Sequence, residues 1–371
     1  MSYRLEQENF DAFFECPFSI YPPSSQYVSP FKSDVRRNLS TDKNPLFVEH
    51  GKGTYFTLHE GGDIVGRIVA HVHEASNKRH NLSRSYFGFF DCADNQAAAN
   101  MLLGVAEEWG ASQGCNEIAG NFNLTAMQQM GVLTDGFDQV PYIDQIYSPR
   151  HIYQLLEAAG YERFFPMTTF EIDLGKTNRE VLLGASSREL MDDEAFKFRH
   201  PKKRQFSRFV QDAGRLLNTG FNPNPMFVPL TDSEFRFQTE EMIWVMDEKI
   251  TMLAYHNDKP AGIVICIPDL NPLLKATRSR LRWSTPYHFL KYRLDRKRAV
   301  MIFASALPEH QNRGLSSLLT YKIFDQLIDG GYEIMGTTWV GDTNKASLRF
   351  VEKMGGVQLH RAHVFRKALG R

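Results

Sequence analysis

Several things are scarce in this chain of 371 residues. It has four cysteines, Cys16, Cys92, Cys115 and Cys266, scattered with no CxxC pair and no Cys/His cluster. That spacing excludes a zinc ribbon and a disulfide framework, and a reducing, cytoplasmic compartment is the expectation. There is no excess of either charge: 43 Lys+Arg stand against 43 Asp+Glu. A protein that coats nucleic acid carries a large basic excess, so nucleic acid is not an expected partner. No stretch approaches about 18 consecutive apolar residues, so neither a membrane span nor a membrane partner is expected. The first residues carry Glu6, Glu8 and Asp11 and no apolar run, which does not read as a signal peptide. His71 and His73 alternate on one strand face, but no third ligand has suitable spacing, so no metal is expected.

What is there is ordinary globular material, with one unusual abundance. Apolar residues make up 42% and charged residues 23%, and Phe reaches 28, with 14 Tyr and 4 Trp. The aromatics point to a well-filled core. The length predicts about two domains. Residues 16–45, rich in Pro, Ser and Asp, read as an irregular lead-in. Thr54 to Leu58 and Ile64 to Val72 predict a hairpin around Gly61-Gly62-Asp63. Ser85 to Phe90 predicts a strand, and Ala97 to Ser112 a helix with Asn95 or Asp94 as cap and Gly114 as stop. Glu117 to Gly120 predicts a strand. Pro149 to Ala159 predicts a helix with Ser148 as N-cap and Pro149 at N1.

The same order returns in the second half. Met252 to Tyr255 and Gly262 to Cys266 predict a hairpin, Val300 to Leu307 a strand, and Gly314 to Ile328 a helix. Ile334 to Trp339, Lys345 to Lys353 and Val357 to Arg366 then predict strand, helix and strand. Two halves reading hairpin, strand, helix, strand, helix predict an α/β fold, with domains at 1–165 and 166–371. Two basic stretches fall outside the repeat, Lys197 to Arg208 and Lys275 to Arg298; the latter holds nine Lys/Arg against Asp295. They read as solvated faces or as docks for acidic or phosphate-bearing partners.

The chemistry-bearing stretch is Ala304 to Gly314, where a strand runs out and a helix opens through Gln311-Asn312-Arg313-Gly314-Leu315-Ser316. Glycine lets the backbone approach a ligand, and the first N–H groups of a helix lack partners, so such a turn suits a pyrophosphate. Arg313 can add a charge-assisted bond. After the next strand comes Asn344-Lys345-Ala346-Ser347-Leu348-Arg349-Phe350-Val351-Glu352-Lys353-Met354-Gly355-Gly356.

With these two motifs in order, the chain resembles the GNAT superfamily of acyl-CoA-dependent N-acyltransferases. That family has a Gln/Arg-x-x-Gly-x-Gly/Ala loop after its fourth strand and, about thirty residues later, an Asn opening a helix that ends Tyr-Glu-Lys-x-Gly-Phe. The resemblance implies two GNAT-like domains in tandem, each a mostly antiparallel mixed sheet flanked by helices with the fourth and fifth strands splayed. It implies that an acyl-pantetheine arm lies along Ser305, Ala306 and Leu307. Gln311, Asn312, Arg313, Gly314, Leu315 and Ser316 would hold the pyrophosphate, with Asn344 and Ser347 on the pantetheine side. Ser305, Asn344 and Trp339 are the candidate catalytic residues. The family's usual acid, the Tyr of Tyr-Glu-Lys, falls at Val351, which has no proton to give.

The chain also resembles a tandem-GNAT group of largely unassigned bacterial proteins with a Pro-Asp-Leu-Asn segment, here Pro268 to Asn271, and a Trp after the fifth strand, here Trp339. The N-terminal loop Asp91-Cys92-Ala93-Asp94-Asn95 has no glycine, and Asp91 and Asp94 would repel a pyrophosphate, so that half is expected to have lost donor binding. Asp269 and Asn271 read as an Asx turn or as a pair gripping the substrate amine. Asn123 and Tyr142, on the long irregular stretch after residue 120, are further substrate-binding candidates. The resulting expectation is an N-acyltransferase moving an acyl group from coenzyme A to a small-molecule amine, without metal. The alternatives are an acyl carrier protein presenting phosphopantetheine as donor, a tRNA-dependent aminoacyl transferase, and a non-catalytic ligand-binding protein.

Overall fold

The structure, a computed structural model, describes residues 2–222, 224–240, 246–311 and 313–370. Its strands begin with β1 (Tyr3–Gln7), β2 (Gly51–Glu60), β3 (Asp63–His73), β4 (Arg84–Cys92), β5 (Glu117–Gly120), β6 (Val132–Asp135) and β7 (Glu162–Asp173). They continue with β8 (Phe196–Arg199), β9 (Thr251–His256), β10 (Lys259–Pro268), β11 (Arg298–Ala306), β12 (Ile334–Thr337), β13 (Val340–Gly341) and β14 (Val357–Ala368). The chain divides into two compact units. One is Met1–Thr168 with Asn271–His288 and His360–Arg371; the other is Thr169–Leu270 with Phe289–Leu359.

In the first unit the strand order is β1-β2-β3-β4-β5-β14, antiparallel throughout except for the parallel β4/β5 pair. In the second it is β8-β9-β10-β11-β12-β7, again antiparallel except for parallel β11/β12. The two orders are the same topology, which is the tandem mixed-sheet fold that the sequence predicts. The helix Gln96–Ser112 follows β4 and the helix Leu315–Asp329 follows β11. Each buries a stripe at i, i+3/i+4 spacing: Ala98, Leu102, Leu103 and Ala106 in one, Leu315, Leu318, Leu319 and Ile323 in the other. A fully buried leucine contributes about 1.5–3 kcal/mol. These stripes therefore anchor the helix whose start forms the loop of interest.

Both units carry a β-bulge in the strand before that helix, at the point where parallel pairing ends. On β11, Ile265 pairs with Phe303 and Cys266 with Met301, so Ile302 is extra; β11 and β12 part after Met301↔Thr337. On β4, Arg67 pairs with Asp91 and Val69 with Gly88, so Phe89 and Phe90 oppose Ile68 alone; β4 and β5 part after Tyr86↔Ala119. A bulge bends its strand and raises the local twist, which opens the gap between the parallel neighbours. At the first gap Gly88 is obligatory: a Cβ there would stand 1.8 Å from the Phe122 carbonyl oxygen.

Two expectations are corrected here. The lead-in is irregular over 21–31 and 39–44 but not throughout: helix Phe10–Ile20 runs into it and helix Lys32–Asn38 lies within it. Its aromatics decide this, because Phe13, Phe14 and Val35 pack with Val69 and Phe89 into a core of their own. Ser148 does not cap the next helix; its hydroxyl accepts from Leu133 N (3.0 Å), and helix Arg150–Ala158 starts after Pro149 without a side-chain cap. The compact units break at Thr168/Thr169, three residues from the expected boundary, and two later segments belong to the first unit. β14 returns by pairing with β5, from Phe365↔Gly120 to Ala368↔Glu117. The 271–288 segment is tied by Asn271 Nδ2 to Pro141 O (2.9 Å) and by Ser279 Oγ to Ser29 O (2.6 Å).

Candidate functional site: two splays, one filled and one open

The strand gap in the first unit is filled by its own side chains. Past the β4 bulge, the Phe89 N–H donates to Asn123 Oδ1 (2.8 Å) and the Phe90 N–H to Asn121 Oδ1 (3.1 Å). Asn121 Nδ2 donates to Asn123 Oδ1 (2.9 Å), and Asn123 Nδ2 to Gln129 Oε1 (3.1 Å), which locks the pair. The helix start is closed in the same way: Asn95 Oδ1 accepts from Ala97 N (3.0 Å) and Ala98 N (3.2 Å). What remains is a cavity of about 30 Å³ lined among others by Arg67, Asp91, Asn121, Asn123, Gln129 and Asn271. That holds a water or two, not an acyl-pantetheine arm.

Asp91 does not face solvent as a repelling charge. It is buried and bound to Arg67, with Nε to Oδ2 at 2.8 Å and Nη2 to Oδ2 at 2.7 Å, while Tyr21 Oη donates to its Oδ1 (2.7 Å). Arg67 also donates to Tyr27 Oη (2.9 Å) and to Phe13 O (3.0 Å). That carbonyl is available because Pro17, four residues on in the same helix, has no N–H to give it. Burial, and then Asp91, push the Tyr21 hydroxyl well up, so it stays a donor. Occupancy, rather than charge repulsion, closes this half.

In the second unit the corresponding groups have no such side-chain partner among the described residues. Among the described residues, no side chain bonds to the backbone N–H of residues 302–306, and β12 pairs with β11 only as far as Met301. The apex is closed by Thr338 N donating to Met301 O (3.0 Å). The helix Leu315–Asp329 has Gly314 as its N-cap, at φ 80°, with no side-chain cap bond. Its first N–H groups therefore lack an intrahelical partner, and the macrodipole favours an anion there. Gly314 is also fixed sterically, since a Cβ would meet Ser187 Oγ at 2.3 Å.

The structure distributes the candidates as follows. Ser305, Ala306 and Leu307 lie on β11 and its exit, with Trp339 half-buried two residues past the end of β12, so these four flank the open gap. The Ser305 hydroxyl turns away to Leu216 O (3.4 Å) under helix Phe206–Gly220, and its backbone pairs with Ile263 of β10. Gln311 Nε2 donates to Ala306 O (3.1 Å) and so ties the loop to the strand. Arg313 is exposed, Leu315 is buried and Ser316 half-buried, while Asn312 lies outside the described residues. Asn344 and Ser347 meet as a helix cap, Ser347 N donating to Asn344 Oδ1 (3.1 Å). Val351 is buried in the second unit's core.

Of the substrate candidates, Asp269 lies in the second unit and the other three in the first. Asp269 is 2% exposed beside Arg298, Nε to Oδ2 at 3.4 Å, at the closed end of β11, where its N–H donates to Arg298 O (3.0 Å). Asn271 belongs to the first unit, with Asn123 and Tyr142. Tyr142 is fully buried, its N–H donating to Gln145 Oε1 (3.0 Å). His310 is buried against Phe196 of β8 and His256 of β9, at ring distances of 5.4 and 5.0 Å. Burial and His256 lower its pKa. β9 is two strands from β11, about 10 Å across the sheet, so His310 does not face the gap. Asn121 was missed in the sequence, although its alternation with Asn123 right after a strand was a usable signal.

The comparisons with known proteins agree with this fold. Residues 220–356 match the acetyltransferase (GNAT) family model. The chain is similar to Protein YghO of Escherichia coli K12, 23% identical over 374 residues, spanning 98% of this chain and 94% of that protein. It is also similar to a bacterial ceramide synthase of Caulobacter vibrioides, 23% identical over 368 residues, spanning 96% and 94%. In fold it matches a solved tandem GNAT protein from the clavulanic acid biosynthesis pathway, with a TM-score of 0.62 at 10% identity over 99% of both chains. The GNAT family match thus covers residues 220–356, and the fold of the whole chain, with its repeated sheet topology, is that of a tandem GNAT protein.

Proposed function

We propose that the chain is an N-acyltransferase whose donor site is the open β11/β12 gap, and that the first unit is a self-filled copy without a donor. One observation carries this reading. The N–H groups that the first unit's gap and helix start would offer a ligand are taken by Asn95, Asn121 and Asn123, while the matching groups of the second unit have no side-chain partner among the described residues. The backbone of residues 303–307 would bind the amides of a pantetheine arm. The N–H groups at Gly314 to Ser316, with Arg313, would hold its phosphates.

The acceptor's neutral amine attacks the thioester carbonyl carbon; the C–N bond forms and the C–S bond breaks. The sulfur leaves with the bonding pair, and the proton lost from nitrogen passes to the thiolate through water. A backbone N–H past the Ile302 bulge would stabilise the charge that develops on the carbonyl oxygen. Val351 supplies no acid, and none is needed for a thiolate, whose conjugate acid is already weakly acidic.

The ceramide synthase name of one relative supports an acceptor in the class of long-chain amino alcohols, since a ceramide is the fatty amide of one. A second reading keeps the chemistry and takes phosphopantetheine from an acyl carrier protein. It is favoured by Gln311, whose amide is engaged with Ala306 O rather than with the loop opening. Calorimetry with acetyl-CoA, a long-chain acyl-CoA and an acyl carrier protein tests both, on wild type and on Arg313→Ala/Gly314→Asp. Binding of a CoA thioester that the double change abolishes supports the first reading. Carrier binding alone supports the second, and no binding of either by folded protein refutes both.

A further inference from the structure

The stretch Leu281 to Leu294 exposes what a folded surface normally hides. Trp283 is 94% exposed, Leu294 79%, Leu281 and Tyr287 68% each, and Leu290 61%. The helix Thr285–Asp295 is packed through Tyr292, with His288 and Phe289 half-buried beside it. Tyr287, Leu290 and Leu294, at i, i+3 and i+7, form its outward face. The helix is therefore apolar on both sides, a pattern that water does not favour for a surface helix. Arg282, Lys291 and Arg293 stand among these residues with no ion pair among the described residues, and the stretch itself contains no acid.

We propose that residues 281–294 are a docking surface for an anionic phospholipid bilayer. Tryptophan and tyrosine favour the headgroup level, leucines reach the acyl boundary, and Lys/Arg stems lie along apolar surface while their charges meet phosphates. All three classes occur here on one short segment. A second copy of the chain suits the surface poorly, because two-fold pairing would set Arg282, Lys291 and Arg293 against their own equivalents. An acidic protein would use the charges but leave Trp283 and Leu294 unaccounted for. This departs from the sequence expectation of no membrane partner: the segment would lie on a membrane rather than cross it, and no described helix is long and apolar enough to cross. The proposal is independent of the donor-site reading.

The test is co-sedimentation of the full chain with vesicles of phosphatidylcholine alone and of three parts phosphatidylcholine to one part phosphatidylglycerol. Wild type is expected to pellet with the anionic vesicles and to be released by high salt. Arg282→Gln/Lys291→Gln/Arg293→Gln is expected to lose on the order of a hundredfold in partitioning, at roughly fivefold per cation. Trp283→Ser/Leu290→Ser/Leu294→Ser is expected to stay in the supernatant while keeping the wild-type melting temperature, since none of the three is buried. Failure of wild type to bind anionic vesicles at low salt overturns the proposal. So does wild-type binding by both variants, or a dimer in sedimentation velocity that the apolar variant dissociates, or saturable binding of an acyl carrier protein by wild type that shows no vesicle binding.

Discussion

Replacing Asn123 tests the idea that the first gap is filled from within. Its side chain serves three buried partners: Phe89 N, Asn121 Nδ2 and Gln129 Oε1. Asn123→Ala leaves all three without their bond, at about 1–3 kcal/mol for each buried group left unsatisfied. The neighbouring cavity of about 30 Å³ can admit a water to one of them. The expected loss is therefore about 2–4 kcal/mol, read as a lower midpoint in urea unfolding at unchanged slope.

Asn123→Asp sharpens the test. Its first oxygen keeps the bonds from Phe89 N and Asn121 Nδ2, but its second faces Gln129 Oε1. Gln129 cannot flip without losing its donations to Ile143 O (3.3 Å) and Gln145 O (3.2 Å). The acid then ionises with difficulty in the folded state, and its folded pKa lies above the unfolded value of about 3.9. A carboxyl with a raised folded pKa favours folding less as pH rises, so the deficit is expected to be larger at pH 8 than at pH 5. A change of under about 0.5 kcal/mol for Asn123→Ala would refute the reasoning, because exposed or water-served amides would not register the loss. Two CoA sites per wild-type chain would refute it equally.

The remaining predictions follow from buried groups. Gly314→Ala is expected to lower stability by about 1–3 kcal/mol, because φ of 80° and a Cβ 2.3 Å from Ser187 Oγ both oppose it; a mutant as stable as wild type in thermal unfolding would overturn that. Arg67→Met is expected to cost about 3–5 kcal/mol by leaving Asp91 buried without its cation, whereas Arg67→Met/Asp91→Leu should recover part of the loss; a double mutant worse than the single in urea melts would contradict this. His71 and His73 are held neutral, chiefly by burial, with pKa lowered to about 3 and about 4. The unfolded chain takes up protons at about 6.5 and the folded one does not, so stability is lost as pH falls below about 6.5, by about 2 kcal/mol per histidine at pH 5. His71→Phe is expected to flatten the profile of unfolding free energy against pH between 7 and 5, and an unchanged slope would count against the assignment.

The second unit's Gln311–Ser316 loop was legible because its signal is local. Gly314 before an apolar helical stripe, and Asn344 three residues before Ser347, are short-range patterns that dictate a left-handed turn and a cap wherever they occur. The hairpins at Gly61-Gly62 and Asn257-Asp258, and the helix that Asn95 caps, were read for the same reason. The neutral composition and the absence of long apolar runs likewise bound the protein class without any fold.

Tertiary structure alone decided which gap is open. Asn121 and Asn123 reach Phe89 and Phe90 across more than thirty residues, and only the β4 bulge turns those amides toward them. It also decided that Asp91 meets Arg67, because a carbonyl freed by Pro17 and the Tyr27 hydroxyl converge on that guanidinium while Tyr21 holds the carboxylate. The return of β14 to β5 is set by pairing between chain ends, which no local window contains. The exposed face of Trp283, Leu290 and Leu294 is of the same kind. Their sequence is as apolar as a core segment, and only the packing of Tyr292 on the opposite side shows which residues are left facing out.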